Sequence, residues 1–157
     1  MANYFLSDPH LAHSKLCRDC RPEYRNTREM DADIIDTCNR TALRGDLLYV
    51  VGDFAWRRFD YYAAQIRATM ILVRGNHDPG WSKCRKHFQS VHDIIYGRKI
   101  DGQSVTICHY PLLFWPGKYM VCGHIHTGLP RKPRRLSCTW DRWHRPVTLA
   151  EMIARDR

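Results

Sequence analysis

Carboxylates, imidazoles and one carboxamide recur along this chain in five short clusters: Asp8 with His10; Asp53; Asn76, His77 and Asp78; His109; and His124 with His126. Carboxylate oxygen combined with neutral imidazole suits hard or borderline divalent metals, whereas a soft thiolate site would have drawn on the cysteines. Residues two apart on an extended backbone project to the same side, so Asp8 with His10, and His124 with His126, can each form a two-pronged site. Glycines at 52, 75 and 123 let the backbone turn sharply beneath the ligands. A lone Asp8 or His109 would more often be a helix cap or a satisfied core polar group. The metal-site reading comes from the set and from where its members fall.

They fall at the ends of apolar runs. Tyr4 to Ser7 predicts a short buried strand that delivers Asp8 and His10, with Pro9 stopping its extension. Leu47 to Val51 is a continuous apolar run, the mark of a strand covered on both faces, and it ends at Gly52-Asp53. Met70 to Val73 ends at Gly75-Asn76-His77-Asp78, Ser104 to Cys108 leads into His109, and Tyr119 to Cys122 into Gly123-His124-Ile125-His126. Between them, Met30, Ile34, Ile35 and Cys38 lie at helical spacing, with Thr27 as N-cap and an end near Arg44-Gly45. Phe59 to Ala68 predicts a second helix, and the Arg- and Cys-rich stretch up to about Arg28 a loop. Asp101-Gly102 predicts a hairpin turn, and Thr148 to Glu151 a capping-box start for a terminal helix. Strand and helix alternate in the first half. That pattern implies parallel strands with crossover helices, in which ligands collect beyond the carboxyl ends of the strands.

The chain has 157 residues, about the length of one domain at ~100–200 residues each, so residues 1–157 are expected to form a single domain. No apolar run approaches the ~18 residues of a membrane helix, and Tyr4-Phe5-Leu6 meets Asp8 too soon to be a secretory segment. Seven scattered cysteines, several inside apolar runs, suit reduced thiols, and a cytoplasmic location is expected. Cys17-Arg18-Asp19-Cys20 lacks the second pair that a zinc knuckle needs. The formal charge of +9 favours anionic partners without identifying them, and the lack of a long apolar run leads to the expectation of no membrane association.

The motifs SDPH, VVGDF, RGNHD, ICHYP and CGHIH, in this order from Ser7 to His126, resemble the motif set of the calcineurin-like metallophosphoesterases. The tail from Leu136 to Leu149 resembles the closing segment of small bacterial and phage-type members. The resemblance implies an α/β fold, a sandwich of two mixed β-sheets flanked by helices, minimal and without a cap domain. It implies that Asp8, His10 and His126 hold one metal, that Asn76, His109 and His124 hold a second, and that Asp53 bridges them. It also implies hydrolysis of phosphate esters by a hydroxide bridging the metals, with His77 approaching the leaving-group oxygen and Asp78 orienting it. Manganese is the first choice of metal, with iron, nickel or zinc as alternatives, because mixed Asp/His/Asn sites discriminate weakly. His13, near the same loop, and Asn76 are candidates for substrate contact. Arg74 could contact phosphate or pair a carboxylate beneath its loop, and the second is favoured. Pro9 stands where many relatives carry a small residue.

Segments following each cluster must line the mouth of such a site, and they are basic and aromatic. Lys15, Arg18, Arg21, Arg25 and Arg28 follow the first; Trp56, Arg57 and Arg58 follow Asp53; Trp81, Lys83, Arg85 and Lys86 follow the third; Arg131, Lys132, Arg134 and Arg135 follow the last. Arginine forks suit phosphate oxygens and indole faces suit bases, which points to nucleotide or nucleic-acid substrates and a phosphodiesterase. The alternatives are a phosphomonoesterase, or a metal-stabilised nucleic-acid-binding protein without turnover.

Overall fold

Runs such as Leu47–Val50, apolar at every position, need cover on both faces, and they obtain it. In a computed structural model that describes residues 1–156, β1 (Asn3–Leu6), β2 (Leu47–Val50), β3 (Thr69–Val73) and β4 (Ser90–His92) form a parallel sheet in that order. The helices α1 (Ser14–Cys20), α2 (Thr27–Thr41), α3 (Phe59–Ala63) and α4 (Trp81–Cys84) lie in the connections. A second sheet takes the order β5 (Ile94–Ile100), β6 (Gln103–Cys108), β7 (Tyr119–Cys122) and β8 (Arg135–Ser137); its first pair is antiparallel and the rest parallel. The chain closes with α5 (Trp140–Trp143) and α6 (Leu149–Asp156). Between these helices Val147 exchanges two backbone hydrogen bonds with Phe5, an antiparallel partner on the free edge of β1.

Side-chain alternation divides the core into layers. Leu48, Val50, Met70 and Leu72 pack with Met30 and Ile34 of α2, while Leu47, Tyr49, Val51 and Ile71 pack with Val105, Ile107 and Val121 of the second sheet. Leu48, Val50 and Leu72 are fully buried, which stabilises the fold by about 1.5–3 kcal/mol for each side chain. The outer face of the second sheet, Cys108, Met120 and Cys122, is covered by Ile94, Leu112, Trp115 and Leu129, three of them loop residues.

Several local expectations meet a different outcome. The stretch after the first cluster contains α1, whose only buried residue is Cys17, so no apolar period marks it. Asn26, not Thr27, caps α2, its side-chain oxygen accepting from Glu29 N at 3.0 Å, and α2 ends at Thr41. The second helix stops at Ala63 because the Asn39 carboxamide takes over the following backbone, donating to Gln65 O and accepting from Arg67 N. The capping box forms as read: Thr148 N donates to Glu151 at 2.8 Å and Glu151 N to Thr148 Oγ at 3.3 Å. Asp101 and Gly102 both have positive φ (48° and 76°), as a two-residue hairpin turn with type I′ geometry requires. Among the described residues no helix is long and apolar enough to cross a membrane. All seven cysteines are free; Cys17 is buried and Cys20 exposed.

Candidate metal centre

The strand-end loops are tied to one another before any ligand is considered. Asp8 N donates to Gly52 O, His10 N to Asp53 O and Leu11 N to Phe54 O, each at 3.1 Å, which lays the first loop along the second. Gly123 N donates to His109 O at 3.0 Å and joins the two loops of the second sheet. The carboxylate of Asp78 accepts from Gly75 N, Asp53 N and Phe54 N at 2.8–2.9 Å, so both its oxygens hold loop backbone.

Asp8, His10, Asp53 and His124 all sit in the left-handed region, with φ of 58°, 49°, 53° and 67°. Non-glycine residues there cost on the order of 1 kcal/mol each and persist only where surrounding structure fixes them. The common direction of Asp8 and His10 therefore comes from these turns and not from extended backbone, a correction to the period-two expectation. Of the three glycines, Gly52 has positive φ (85°). Gly75 and Gly123 serve close approach instead: a Cβ at Gly75 would overlap the Asp53 carboxylate, and one at Gly123 the side chains of Ser7 and Asp8.

Two triads result. His10 Nε2 and His126 Nε2 each lie 3.7 Å from Asp8 Oδ1. His109 Nε2 lies 3.5 Å from Asp53 Oδ2 and 3.2 Å from His124 Nδ1. Among the described residues, Asp8-His10-His126 and Asp53-His109-His124 are the two groups whose ligand atoms converge closely enough to hold an ion. Asp53 Oδ2 is also 3.6 Å from His10 Nε2, so a single oxygen faces both triads, while Asp53 Oδ1 is occupied by His77 N at 2.9 Å. Asn76 is exposed at the same turn, next to Gly75.

The donor atoms fit divalent cations. Asp8 Oδ1 and both ring nitrogens of His10 are buried without any hydrogen-bond partner, a costly state unless something electropositive meets them. Asp8 Oδ2, by contrast, is satisfied by Ser7 Oγ and by His124 N at 2.9 Å. His109 Nδ1 donates to Val51 O at 2.9 Å, which leaves the lone pair of Nε2 facing the site. Burial alone would raise the Asp53 carboxyl pKa, but the hydrogen bond and charge of His109 outweigh it and lower it to about 2. Burial likewise opposes the protonated form of His109, and the carboxylates of Asp53 and Asp8 raise its pKa on balance. His124 is pushed down by burial and by its neighbour His109.

His77 is exposed at the mouth, its Nε2 4.0 Å from Asp53 Oδ2 and its ring 4.9 Å from that of Trp56. Asp78 does not orient it, because the three amides above already take up that carboxylate. His13 caps α1, its Nδ1 accepting from Leu16 N at 3.1 Å, and its ring packs 4.4 Å from Trp56. Arg74 pairs with Asp93 at 2.9 Å and donates to Pro79 O at 3.3 Å, contacts that match the structural alternative favoured above.

Two residues beneath the site escaped the sequence reading of roles. Arg21, placed on the rim by sequence order, is 1% exposed and runs under the first loop, donating to Asp8 O at 2.7 Å and Pro9 O at 2.8 Å. It meets Asp141 at 2.8 and 3.0 Å, and Asp141 accepts from His126 Nδ1 at 2.6 Å. Asp141 is thus the group that fixes the His126 ring. Only the presence of an Asp in the closing segment signalled it, since its partners lie far away in the chain. Of the other rim cations, Arg18 and Arg25 pair with Asp19 and Glu29, and Arg58 stacks on Tyr61.

Against known proteins, the model of the family described as Calcineurin-like phosphoesterase matches residues 3–147. No curated protein matches the chain. Among solved structures, a protein of unknown function from Aquifex aeolicus is 22% identical with a TM-score of 0.74, covering 95% of this chain and 96% of its own. A novel archaeal phosphodiesterase is 17% identical with a TM-score of 0.50, covering 88% of this chain and 82% of its own. At these identities the likeness is one of fold.

Proposed function

This chain belongs to the calcineurin-like phosphoesterases, and from that premise we propose that it is a dinuclear-metal-dependent phosphodiesterase acting on nucleotide or nucleic-acid-type substrates as a single cytoplasmic domain. The observation that carries the two-metal reading is the position of Asp53 Oδ2, within 3.6 Å of His10 Nε2 and 3.5 Å of His109 Nε2. Asp8, His10 and His126 would hold one cation, His109, His124 and Asn76 the other, and Asp53 both. Divalent cations bound there would supply neutralisation of charge developing on phosphorus and a lowered pKa for water near neutral pH. Manganese is the first candidate, and iron, nickel and zinc suit the same donors.

The remaining work falls to the chain's own side chains. His77 stands at the mouth beside Asp53, where an imidazolium can donate a proton to a departing alkoxide. Asp78 is a positioning residue that keeps Gly75 and Asp53 in place through three amides. Trp56, 43% exposed and packed against both His13 and His77, offers a flat apolar face beside the reacting phosphate, which supports a nucleoside-bearing ester over a bare one. The archaeal protein of similar fold is described as a phosphodiesterase, which supports a diester as the substrate class.

The test is turnover of bis-p-nitrophenyl phosphate and p-nitrophenyl phosphate by chelator-stripped protein with manganese restored. Hydrolysis of the diester, abolished by the chelator, is expected. Hydrolysis of the monoester alone would make the protein a phosphatase, and turnover of neither would end the enzyme reading in favour of a binding protein.

A further inference from the structure

Behind His126 the surface opens into two clefts that share Leu129, Ser137, Arg142 and Arg155. The smaller, about 250 Å³, is lined by His126 and Asp141. The larger, about 360 Å³, adds Arg131 and Arg135 and ends at Met152 and Asp156. Four guanidinium groups therefore line one groove that starts one imidazole away from Asp8 Oδ1.

Among the described residues the side chains of Arg131, Arg135 and Arg155 bond to backbone oxygens and not to carboxylates. Arg131 donates to the backbone oxygen of Asp156, Arg135 to that of Pro130 and Arg155 to that of Arg142, and none of the four forms an ion pair with a carboxylate among the described residues. Arg135 Nε is buried with no hydrogen-bond partner, and Arg155 is held over the Trp143 ring at 4.6 Å. Burial and the charges of Arg155 and Arg131 disfavour the protonated form of Arg142 by more than the charge of Asp156 favours it. From Gly102 to Trp140 the sequence has no Asp or Glu at all, while Lys118, Arg131, Lys132, Arg134 and Arg135 lie within it. Like charges crowded into a groove repel one another unless an anion joins them, and planar guanidinium forks match the paired oxygens of a phosphate.

We propose that this groove binds a backbone phosphate of a nucleic-acid chain whose scissile phosphodiester lies at the clustered Asp and His residues, an inference that rests on the function proposed above. A polymer running past His126 enters it, whereas a small ester leaves it empty. The groove therefore selects chain length, and the metal-binding residues perform the cleavage.

The test compares the double variant Arg142→Ala/Arg155→Ala with a control of equal charge loss, Arg44→Ala/Lys99→Ala. Arg44 and Lys99 are exposed at the opposite ends of the strands. Binding of a fluorescent single-stranded phosphorothioate oligonucleotide is read by anisotropy across a salt series, which needs no turnover. The groove variant should bind about 10-fold more weakly, and its log–log salt slope should fall by about 0.7 for each phosphate that is no longer neutralised. The control should lose little, and bis-p-nitrophenyl phosphate turnover by the groove variant should match wild type. Equal weakening in both variants would reduce the effect to net charge, and wild-type binding by the groove variant would remove the site; either overturns the proposal. Unchanged oligonucleotide binding, with loss of the thermal shift given by inorganic phosphate, would make this a free-anion site and also overturns it. If instead the diester is never hydrolysed while binding responds as expected, the enzyme reading fails and the phosphate groove stands.

Discussion

Replacing Asp141 by Asn should weaken metal binding and stability together, although Asp141 is not among the candidate ligands. Its carboxylate accepts from His126 Nδ1 at 2.6 Å and from Arg21 at 2.8 and 3.0 Å, with Arg21 1% and Asp141 11% exposed as side chains. An amide of the same shape keeps one acceptor and turns an NH2 towards a donor, so either His126 or Arg21 loses its partner. Breaking a buried ion pair typically costs about 3–5 kcal/mol, and the carbonyls of Asp8 and Pro9, which still hold Arg21, favour the lower figure. For a domain of this size about 3 kcal/mol corresponds to a fall in Tm of roughly 6–12 °C. Loss of the group that orients a metal-binding imidazole typically costs 10–100-fold in metal affinity, or roughly 1.4–2.7 kcal/mol. Calorimetry gives the first quantity, and competition with a chromophoric chelator for manganese gives the second.

The pH dependence follows from the same contacts. Burial would raise the Asp141 carboxyl pKa, but His126 and Arg21 outweigh burial and hold it well below the usual carboxylate range. A carboxyl depressed on folding contributes stability that is fully present above its unfolded pKa of about 3.9 and is lost as pH falls below it. Asp141→Asn should therefore flatten the acid limb of the Tm–pH curve. A variant with wild-type Tm, metal affinity and acid limb would show that the Arg21–Asp141–His126 chain does not hold the site.

Three further outcomes are expected. Asp53→Ala removes the oxygen shared by the triads and should lose both metals and at least two orders of magnitude in activity; two metals per chain by elemental analysis would refute the ligand assignment. His77→Ala should keep both metals and lose about 10²–10⁴-fold on alkyl esters but much less on p-nitrophenyl esters, since p-nitrophenolate leaves without protonation; equal losses would exclude His77 as the acid. Gly123→Ala places a methyl group against Ser7 and Asp8 and should cost about 1–3 kcal/mol or more by melting, with reduced metal content; unchanged metal content would show that the loop can yield.

The parts of this molecule that follow local rules were readable in advance. Apolar runs ending in ligand-type residues located β1, β2, β3, β6 and β7 and the candidate ligands at their ends, and Asp101-Gly102 and Thr148–Glu151 announced their turn and cap. What stayed hidden was tertiary. Arg21 and Asp141 meet from positions 120 residues apart, and nothing beside either shows whether it faces solvent or the underside of a loop. The left-handed backbone at Asp8, His10, Asp53 and His124 opposes the intrinsic preference of those residues, so propensity argues against it. The resemblance implied Asp78 as the partner of the adjacent His77, whereas its amide contacts exist only once the strand-end loops have met.

The candidate ligands come from both layers of the sandwich: Asp8, His10, Asp53 and Asn76 from loops of the first sheet, His109, His124 and His126 from loops of the second. Cations held there would act as rivets between two half-structures joined otherwise by apolar contact and by the hydrogen bonds of Ser7, Asp8, Val51 and Arg21. Because neither half carries a complete triad, high-affinity metal uptake reports that the layers have docked in register, and chelation should loosen their seam before it melts either sheet. Protein purified with a strong chelator would then differ from metal-replete protein in hydrogen exchange along β1, β2, β6 and β7, and the difference would grow with free metal concentration as binding to the folded state alone requires.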